Sequence, residues 1–431
     1  MTKKHEGKKI SDSELEGRVH DAEGKMDDLI SEVSEFLSHD NPDDIIFEED
    51  LPSGIILGES LNAGVGENSD NNGNPSNTGN KSNAGNSDKN GNTGKNSNKG
   101  SKDNRDEHSL GTLKADSSGK MIIKAKDRSI DMSVDIAGVH FSNPIFTASG
   151  TFSAKHSGAF YDISELGAAV TKGVSDKPWP GNDTPRIAEV YGGMLNSVGL
   201  QNPGAAAYLR EEIPFLRKFN TKIITNVAGH SVDEYCHAVE LLNRCGDIDM
   251  YEINISCPNV SEGGIAFGTD PKMAELLTKE VKAAASKPII VKLTPNVTDI
   301  AEIARAVESA GADAVSLINT LLGMKIDLKQ RRAVLARKVG GFSGPAVKPV
   351  ALRMVWQTAN AVKIPVIGMG GIMTGEDAAE FLAAGATAVC VGTAALADPT
   401  APVRIKYELM DFLKENDFAT LAQLHEAFAD L

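Results

Sequence analysis

From about Met121 onward, short apolar runs alternate with longer stretches in which apolar residues recur at helical spacing. Runs of this length, bounded by turn residues, are typical of buried β-strands. They predict eight strands, at residues 143–149, 167–173, 222–229, 250–256, 288–295, 314–320, 365–371 and 388–393. Eight strands that alternate with helices favour an α/β protein built as a parallel (β/α)8 TIM barrel.

The stretches between the runs carry helix signals of their own. Asp270 followed by Pro271 is typical of an N-cap and the first helical position. An apolar helix face, closed by Gly311, is predicted by Ile300, Ile303, Ala304 and Val307. A doubly wound sheet is the alternative fold, but it usually needs fewer strands and a GxGxxG turn after the first strand, and the sequence has no such turn.

The first 120 residues follow a different pattern and predict a largely disordered N-terminal extension. Residues 1–60 are an acidic segment with an amphipathic pattern at Leu15, Val19, Ala22, Met26, Leu29, Val33 and Phe36. This spacing fits either a marginal helix, weakened by Gly17 and Gly24, or a helix that docks a partner. Residues 61–120 are an Asn/Gly/Ser/Lys-rich linker with too little apolar surface to offset the entropy of ordering. The barrel is expected over residues 121–431.

Charge and cysteine usage narrow the class of protein. Residues 1–60 hold 6 Lys and Arg against 17 Asp and Glu, a balance of −11 within a total of −15, which argues against nucleic-acid binding. Four cysteines without a CxxC pair fit a reducing cytoplasm and argue against a cysteine-ligated cluster within this chain. The histidines lack ligand spacing, so no metal site is predicted. No apolar run is long enough for a membrane span, and a soluble cytoplasmic protein is expected.

Two glycine runs mark the carboxyl ends of the last two predicted strands. Residues 368–371 read GMGG and residues 391–394 read VGTA. Glycines alone can simply permit tight turns, but in a (β/α)8 barrel the loops after strands seven and eight often bind phosphate through backbone N–H groups. Because both runs occur at those two strands, the sequence predicts a phosphate site there.

Lysines and asparagines collect at the same predicted rim. Lys172 and Lys292 lie in apolar strand contexts, where a lysine either reaches solvent or faces a counter-charge such as a ligand anion. Asparagine is a poor strand residue, yet several are found at strand ends: Asn196, Asn202, Asn226, Asn254, Asn259 and Asn319. Turn formation explains one or two of them, and the remainder indicate a neutral planar ligand read by paired donors and acceptors.

The segment Asn254-Ile-Ser-Cys-Pro-Asn-Val260 places a thiol between two amides at the end of strand four. A lone cysteine is most often a small buried apolar residue. At this position Cys257 is instead a candidate general base, since a positioned thiol can accept a proton. Cys236, Cys245 and Cys390 fall in a helix, at its end and in a strand interior, and are interpreted as structural.

Long ordered motifs then show a resemblance to a known family, across roughly residues 129–430. They include ASGTF at 148–152, MLNSVGLQNPG at 194–204, NISCPNV at 254–260, GGIAFGTDP at 263–271, VKLTPNVTDI at 291–300, INT at 318–320, SGPAVKP at 343–349, GMGGI at 368–372 and VGTA at 391–394. Together they resemble dihydroorotate dehydrogenase. The resemblance implies a barrel that binds flavin mononucleotide (FMN) and oxidises dihydroorotate to orotate in de novo pyrimidine synthesis.

Within that family the cysteine and the lack of an apolar N-terminal helix resemble class 1, and the loop GGIAFGTDP is similar to class 1B. Class 1B implies a homodimer joined in a heterotetramer with an iron–sulfur flavoprotein, whose FAD and [2Fe-2S] cluster pass electrons to NAD. The alternatives are a class 1A-like enzyme that reduces fumarate, or a reductase resembling dihydropyrimidine dehydrogenase. From a different class, the chain could act mainly in assembly, its acidic segment recruiting a partner.

The resemblance also assigns residues to roles. Cys257 would take a proton from C5 of dihydroorotate while a hydride leaves C6 for FMN. The residues implied in substrate binding are Lys172, Asn196, Ser197, Val198, Gly199, Leu200, Asn254, Asn259, Asn319 and Thr320. Those implied in FMN binding are Ser149, Lys172, Gly173, Asn226, Asn254, Lys292, Ile318, Gly344, Gly370, Gly371, Gly392 and Thr393.

Overall fold

The structure is a computed structural model that describes residues 113–115, 121–123, 130–256 and 267–431. The predicted acidic helix and nearly all of the predicted linker lie outside these residues, as do Cys257 and Asn259. The short strand Leu113–Ala115, which falls within the segment predicted as linker, pairs antiparallel with Met121–Ile123.

Eight parallel strands close into a barrel, in which each strand pairs with the next along the chain and the last pairs with the first. All eight predicted strands are therefore confirmed. Their bounds are β1 Ile145–Thr147, β2 Ala168–Val170, β3 Lys222–Val227, β4 Met250–Asn254, β5 Ile289–Lys292, β6 Ala314–Leu317, β7 Val366–Met369 and β8 Ala388–Val391. Every residue of β4 and β5 is buried, as expected for strands covered by helices on one side and by the barrel interior on the other.

Helices follow the strands and form the outer layer. In chain order they are α1 Ala154–Phe160, α2 Ala205–Glu211, α3 Ile213–Leu216, α4 Val232–Leu242, α5 Pro271–Ala284, α6 Ile300–Ser309, α7 Lys348–Ala359, α8 Gly375–Ala383, α9 Thr393–Ala397, α10 Ala401–Glu415 and α11 Leu421–Ala427. The Asp270 side chain caps α5 by accepting hydrogen bonds from the backbone nitrogens of Lys272 and Met273. The predicted apolar face of α6 is buried in full.

A four-stranded antiparallel sheet is added at one end of the barrel. Its strands, in spatial order, are Leu321–Met324, Val339–Ser343, Gly193–Asn196 and Ile187–Val190. Both insertions that build it follow the carboxyl ends of barrel strands, after β2 and after β6. The sheet therefore belongs to the mouth, where the polar strand ends meet. It was absent from the strands predicted from sequence, because its strands are short and partly exposed.

Two further two-stranded pairs complete the described strands: Val134–Ile136 with Val139–Phe141, and Ile326–Asp327 with Arg332–Ala333. None of the helices in the described part of the chain combines the length and the apolar character that a bilayer crossing requires.

Candidate active site

A buried ion pair occupies the interior of the barrel near its mouth. Lys292 ends β5 and Glu252 lies in β4, and their side chains are 6% and 2% exposed. The Lys292 Nζ lies 3.7 Å from Glu252 Oε2 and donates a hydrogen bond of 3.0 Å to Ser149 Oγ, just past β1. Lys292 therefore already has a carboxylate partner, and its burial needs no ligand anion as counter-charge. The Lys292 side chain thus connects β5 with β4 and with the segment just past β1.

Asn226, at the carboxyl end of β3, contributes the most informative atom of the site. Its Nδ2 donates to Glu252 Oε2 at 2.6 Å. Its Oδ1 is buried and has no hydrogen-bond partner among the described residues. Since buried acceptors are almost always paired, this oxygen indicates a ligand N–H. It faces Gly173, where an added Cβ would lie 3.0 Å from Asn226 Oδ1.

Two further predicted asparagines meet between β4 and β6. Asn319 Nδ2 donates to Asn254 Oδ1 at 3.3 Å, and the Asn254 backbone carbonyl accepts a hydrogen bond from the Tyr235 hydroxyl. The neighbouring Thr320 backbone is fixed on both sides, because its nitrogen donates to Asn319 Oδ1 and its oxygen accepts from Asn296 Nδ2. The structure thus brings together Asn254 and Asn319, two of the six asparagines considered for a planar ligand.

Glycines line the rim at β7 and β8 as predicted. Gly370 and Gly371 have φ angles of 126° and 81°, a region that favours glycine. A Cβ at Gly371 would lie 2.8 Å from the Lys348 backbone nitrogen and 2.9 Å from the Gly344 oxygen. Gly344, which follows the added sheet, has a φ of 116°. Just past β8, Thr393 Oγ1 donates to Ser343 Oγ at 2.9 Å. These turns bring backbone from β7, β8 and the added sheet to one place.

The loop at residues 196–200 continues from the added sheet. Asn182 fixes it, because its backbone nitrogen donates to the Val198 oxygen and its Nδ2 donates to the Ser197 oxygen and hydroxyl. Gly199 and Leu200 follow with φ angles of 75° and 52°. Asn196 itself donates from Nδ2 to the Gly341 oxygen at 3.4 Å, across the sheet.

Two predicted rim residues have a different setting from the one inferred. Asn202 is buried, and its amide is fully used to hold backbone: Oδ1 accepts from the Ser175 and Gly204 nitrogens, and Nδ2 donates to the Leu200 oxygen. It shapes the loop rather than reading a ligand. Lys172 is exposed, because β2 ends at Val170 and the lysine projects from the loop beyond it.

Sequence reasoning missed Glu252 and Ser316. Both side chains lie inside the barrel, and Ser316 Oγ donates to Glu252 Oε1 at 2.8 Å. A signal was present, since a glutamate at the centre of the apolar run MYEINI has no solvent to face. Ser316 lies 64 residues later in the chain, on β6, so identifying it as a partner required the order of the strands in the barrel.

The three described cysteines lie in the elements predicted for them. Cys236 lies on α4, Cys245 lies just beyond its end and Cys390 is buried within β8. Burial raises the pKa of the Cys390 thiol, and the nearby Glu252 carboxylate acts in the same direction. Within the described ranges no group of three or more His, Cys, Asp or Glu side chains could hold a metal ion.

A closed eight-stranded barrel whose carboxyl-terminal mouth gathers a buried lysine, several amides and glycine turns defines a (β/α)8-barrel enzyme. Comparison with known proteins identifies its family. The family model described as dihydroorotate dehydrogenase matches residues 131–413. The chain belongs to the dihydroorotate dehydrogenase family, whose members are oxidoreductases of pyrimidine synthesis.

Curated relatives are similar over most of their length. The chain is 56% identical over 296 residues to a protein from Alkaliphilus metalliredigens, covering 68% of this chain and 98% of the relative. It is 57% identical over 302 residues to one from Alkaliphilus oremlandii, covering 70% and 99%. Both are named dihydroorotate dehydrogenase B (NAD(+)), catalytic subunit.

A solved structure shares the fold. The dihydroorotate dehydrogenase of Eimeria tenella, in complex with ferulenol, matches with a TM-score of 0.58 at 22% identity, covering 71% of this chain and 90% of that one.

Proposed function

We propose that this protein oxidises (S)-dihydroorotate to orotate in de novo pyrimidine synthesis, as the FMN-binding catalytic subunit of a class 1B enzyme. The observation that carries the proposal is the buried Lys292 ammonium together with Asn226 Oδ1, which has no partner among the described residues, at the mouth of a barrel of this family. A fixed cation next to an open acceptor suits a ring that carries both N–H groups and a carbonyl edge.

The residues present fit FMN. Asn226 Oδ1 offers the acceptor that a flavin N–H needs, and Lys292 offers a cation for the ring's N1–C2=O edge. A Cβ at Gly344, Gly370 or Gly371 would collide with neighbouring protein atoms, so only glycine allows these tight turns. The phosphate is proposed to bind the backbone N–H groups that the turns present. The remaining proposed contacts come from Ser149, Lys172, Gly173, Asn254, Ile318, Gly392 and Thr393.

FMN, when bound, would supply the acceptor for the hydride that leaves C6 of dihydroorotate. The proton at C5 goes to Cys257, so that loss of both hydrogens leaves the C5=C6 double bond of orotate. Asn254 and Asn319 are already coupled to each other and hold the amide edges of the substrate, together with Asn259 and Thr320. Residues Asn196 to Leu200 and Lys172 close the substrate side of the site.

Purified full-length protein tests the function. We expect a yellow protein that oxidises dihydroorotate with an artificial dye and does not reduce NAD by itself. Fumarate reduction at a rate comparable to dye reduction would instead indicate a class 1A-like enzyme. Turnover of dihydrouracil without turnover of dihydroorotate would indicate a reductase resembling dihydropyrimidine dehydrogenase.

The electron route needs a partner. The names of the curated relatives contain NAD(+) and catalytic subunit, which supports the proposal of a second subunit. We propose that this subunit supplies FAD and a [2Fe-2S] cluster. We expect the chain to form a homodimer and, with that iron–sulfur flavoprotein, a heterotetramer that reduces NAD. Co-purification from the source cells, followed by iron and flavin analysis, checks this; a preparation of this chain alone that reduces NAD would contradict it.

A further inference from the structure

Glu252 lies at the centre of the buried polar group beneath the proposed flavin site. Its carboxylate is contacted by three donors, each from a different strand: Asn226 Nδ2 at 2.6 Å, Ser316 Oγ at 2.8 Å and Lys292 Nζ at 3.7 Å. An ionised carboxylate accepts hydrogen bonds and donates none. The Glu252 side chain, 2% exposed, thus accepts hydrogen bonds from Asn226 and Ser316 and lies beside the Lys292 ammonium.

This carboxylate determines which way the Asn226 amide points. The two ends of an amide side chain are distinguished only by their hydrogen bonds. Because Glu252 accepts, the NH2 end must face it, and the Oδ1 end must face away toward Gly173. An amide turned the other way would place two oxygens against each other. The open acceptor at Asn226 is thus a consequence of Glu252.

The same carboxylate offsets the charge of Lys292. Stability alone does not explain such a pair, because replacing a buried ion pair by apolar residues of similar volume is often neutral or stabilising. At the proposed site, however, an unopposed lysine would favour negative charge on the ring strongly. A carboxylate 3.7 Å from the ammonium reduces that effect.

We propose that Glu252 is a positioning residue for the flavin: it acts through Lys292 and Asn226, lowering the reduction potential of the ring and fixing the acceptor that receives its N–H. The inference rests on the proposed function, since it assumes FMN in this mouth. Glu252 is a residue of the barrel interior, in register with Asn226 and two residues before Asn254, and it is not proposed to touch the substrate.

Sulphite affinity of the FMN-loaded full-length protein tests the proposal without dihydroorotate. Sulphite binding leaves negative charge on the flavin, so it reports positive charge near the ring, and it is followed by the visible flavin absorbance. Glu252→Gln removes the charge and keeps a similar shape. We expect sulphite to bind at least about tenfold more tightly, which corresponds to a potential roughly 30 mV higher for a two-electron couple.

Ser316→Ala is the matched control, because it removes one hydrogen bond to the same carboxylate and leaves every charge in place. We expect its sulphite affinity to stay within about twofold of the parent. If Glu252 were merely structural, both variants would lose thermal stability or FMN content, and Glu252→Gln would not bind sulphite more tightly. That result would overturn the proposal.

A second pair of variants keeps the test decisive if Glu252→Gln does not fold. Lys292→Met leaves the carboxylate unopposed, whereas Lys292→Met with Glu252→Gln carries no charge at either position. We expect the double variant to bind sulphite at least about tenfold more tightly than Lys292→Met. Equal sulphite affinities of the double variant and Lys292→Met would overturn the proposed role of Glu252 and leave the proposed function standing. A parent protein that retains no FMN would overturn both.

Discussion

The two ends of the barrel use polar side chains in different ways. At the amino-terminal end, polar groups close the beginnings of the strands and are saturated. Asn143 Oδ1 accepts from the backbone nitrogens of Ile145 and Gly167, and Asp249 accepts from Lys222 Nζ and from the Ile223 nitrogen. Asp313 does the same for Lys282 and the first residue of β5.

At the mouth, the buried polar group is incomplete. Glu252 is fully occupied by donors, but Asn226 Oδ1 has no partner in the described part of the chain. Since leaving a buried acceptor unpaired costs about 1–3 kcal/mol, Asn226 bears a cost that Asn143, Asp249 and Asp313 do not. A saturated network supports the fold, whereas an incomplete one indicates where a ligand completes it.

Replacing the proposed base at the mouth should have the largest effect on activity. Cys257→Ser is expected to lower dihydroorotate oxidation at neutral pH by about 10²–10⁴-fold, the range typical of general base catalysis. Part of the rate should return at high pH, because a serine hydroxyl ionises poorly. Steady-state turnover with an artificial dye, normalised to bound FMN, measures the effect.

Cys236→Ser is the control for that variant. This thiol lies on α4 in the outer layer, and burial raises its pKa, with nearby carboxylates acting in the same direction. Its replacement should leave turnover unchanged. Near-parental activity of Cys257→Ser at neutral pH would contradict the assignment of the base.

Replacing one asparagine at each end tests the comparison directly. Asn226→Ala should weaken FMN binding by about 1–3 kcal/mol, roughly five- to 150-fold in dissociation constant, because both the ligand acceptor and a donor to Glu252 are lost. Asn143→Ala should lower the free energy of unfolding by a similar amount and leave the FMN dissociation constant unchanged. Flavin release and denaturant titration measure the two quantities. If both variants weakened FMN binding equally, the contrast between the ends would fail.

The same contrast shows which features could be predicted from the sequence and which could not. The period of apolar runs predicted all eight barrel strands, and the Asp270 cap and the α6 face followed from local spacing. Asn202 and Asn226 were indistinguishable in sequence, since both follow apolar or turn segments. Only the closed barrel shows that one amide is saturated by its own loop and the other keeps an open oxygen. Predicting the contacts of Glu252 required the same long-range information.

A carboxylate at the amino-terminal end should affect stability without affecting chemistry. Asp249→Asn loses the ion pair with Lys222 and weakens the bond to the Ile223 nitrogen. Because the pair is partly exposed, we expect only about 1 kcal/mol of lost stability. Turnover per bound FMN should equal that of the parent. A change in the sulphite affinity of this variant would show that charges at this end reach the flavin.

The smallest expected effect is a pH dependence at the amino-terminal end. Burial lowers the pKa of His425, although its ring nitrogen donates to the Ala386 carbonyl, two residues before β8. Because the folded-state pKa lies below the unfolded value of about 6.5, the unfolded chain binds the proton first as pH falls. This contribution to stability is therefore complete above about pH 7 and is lost as pH falls through 6.5 and below. His425→Gln keeps a donor and removes the titration, so the difference in unfolding free energy between the two proteins should change over that range. If that difference stayed constant with pH, His425 would titrate alike in the folded and unfolded states, which would contradict the prediction. Turnover per bound FMN should be the same for both proteins at every pH.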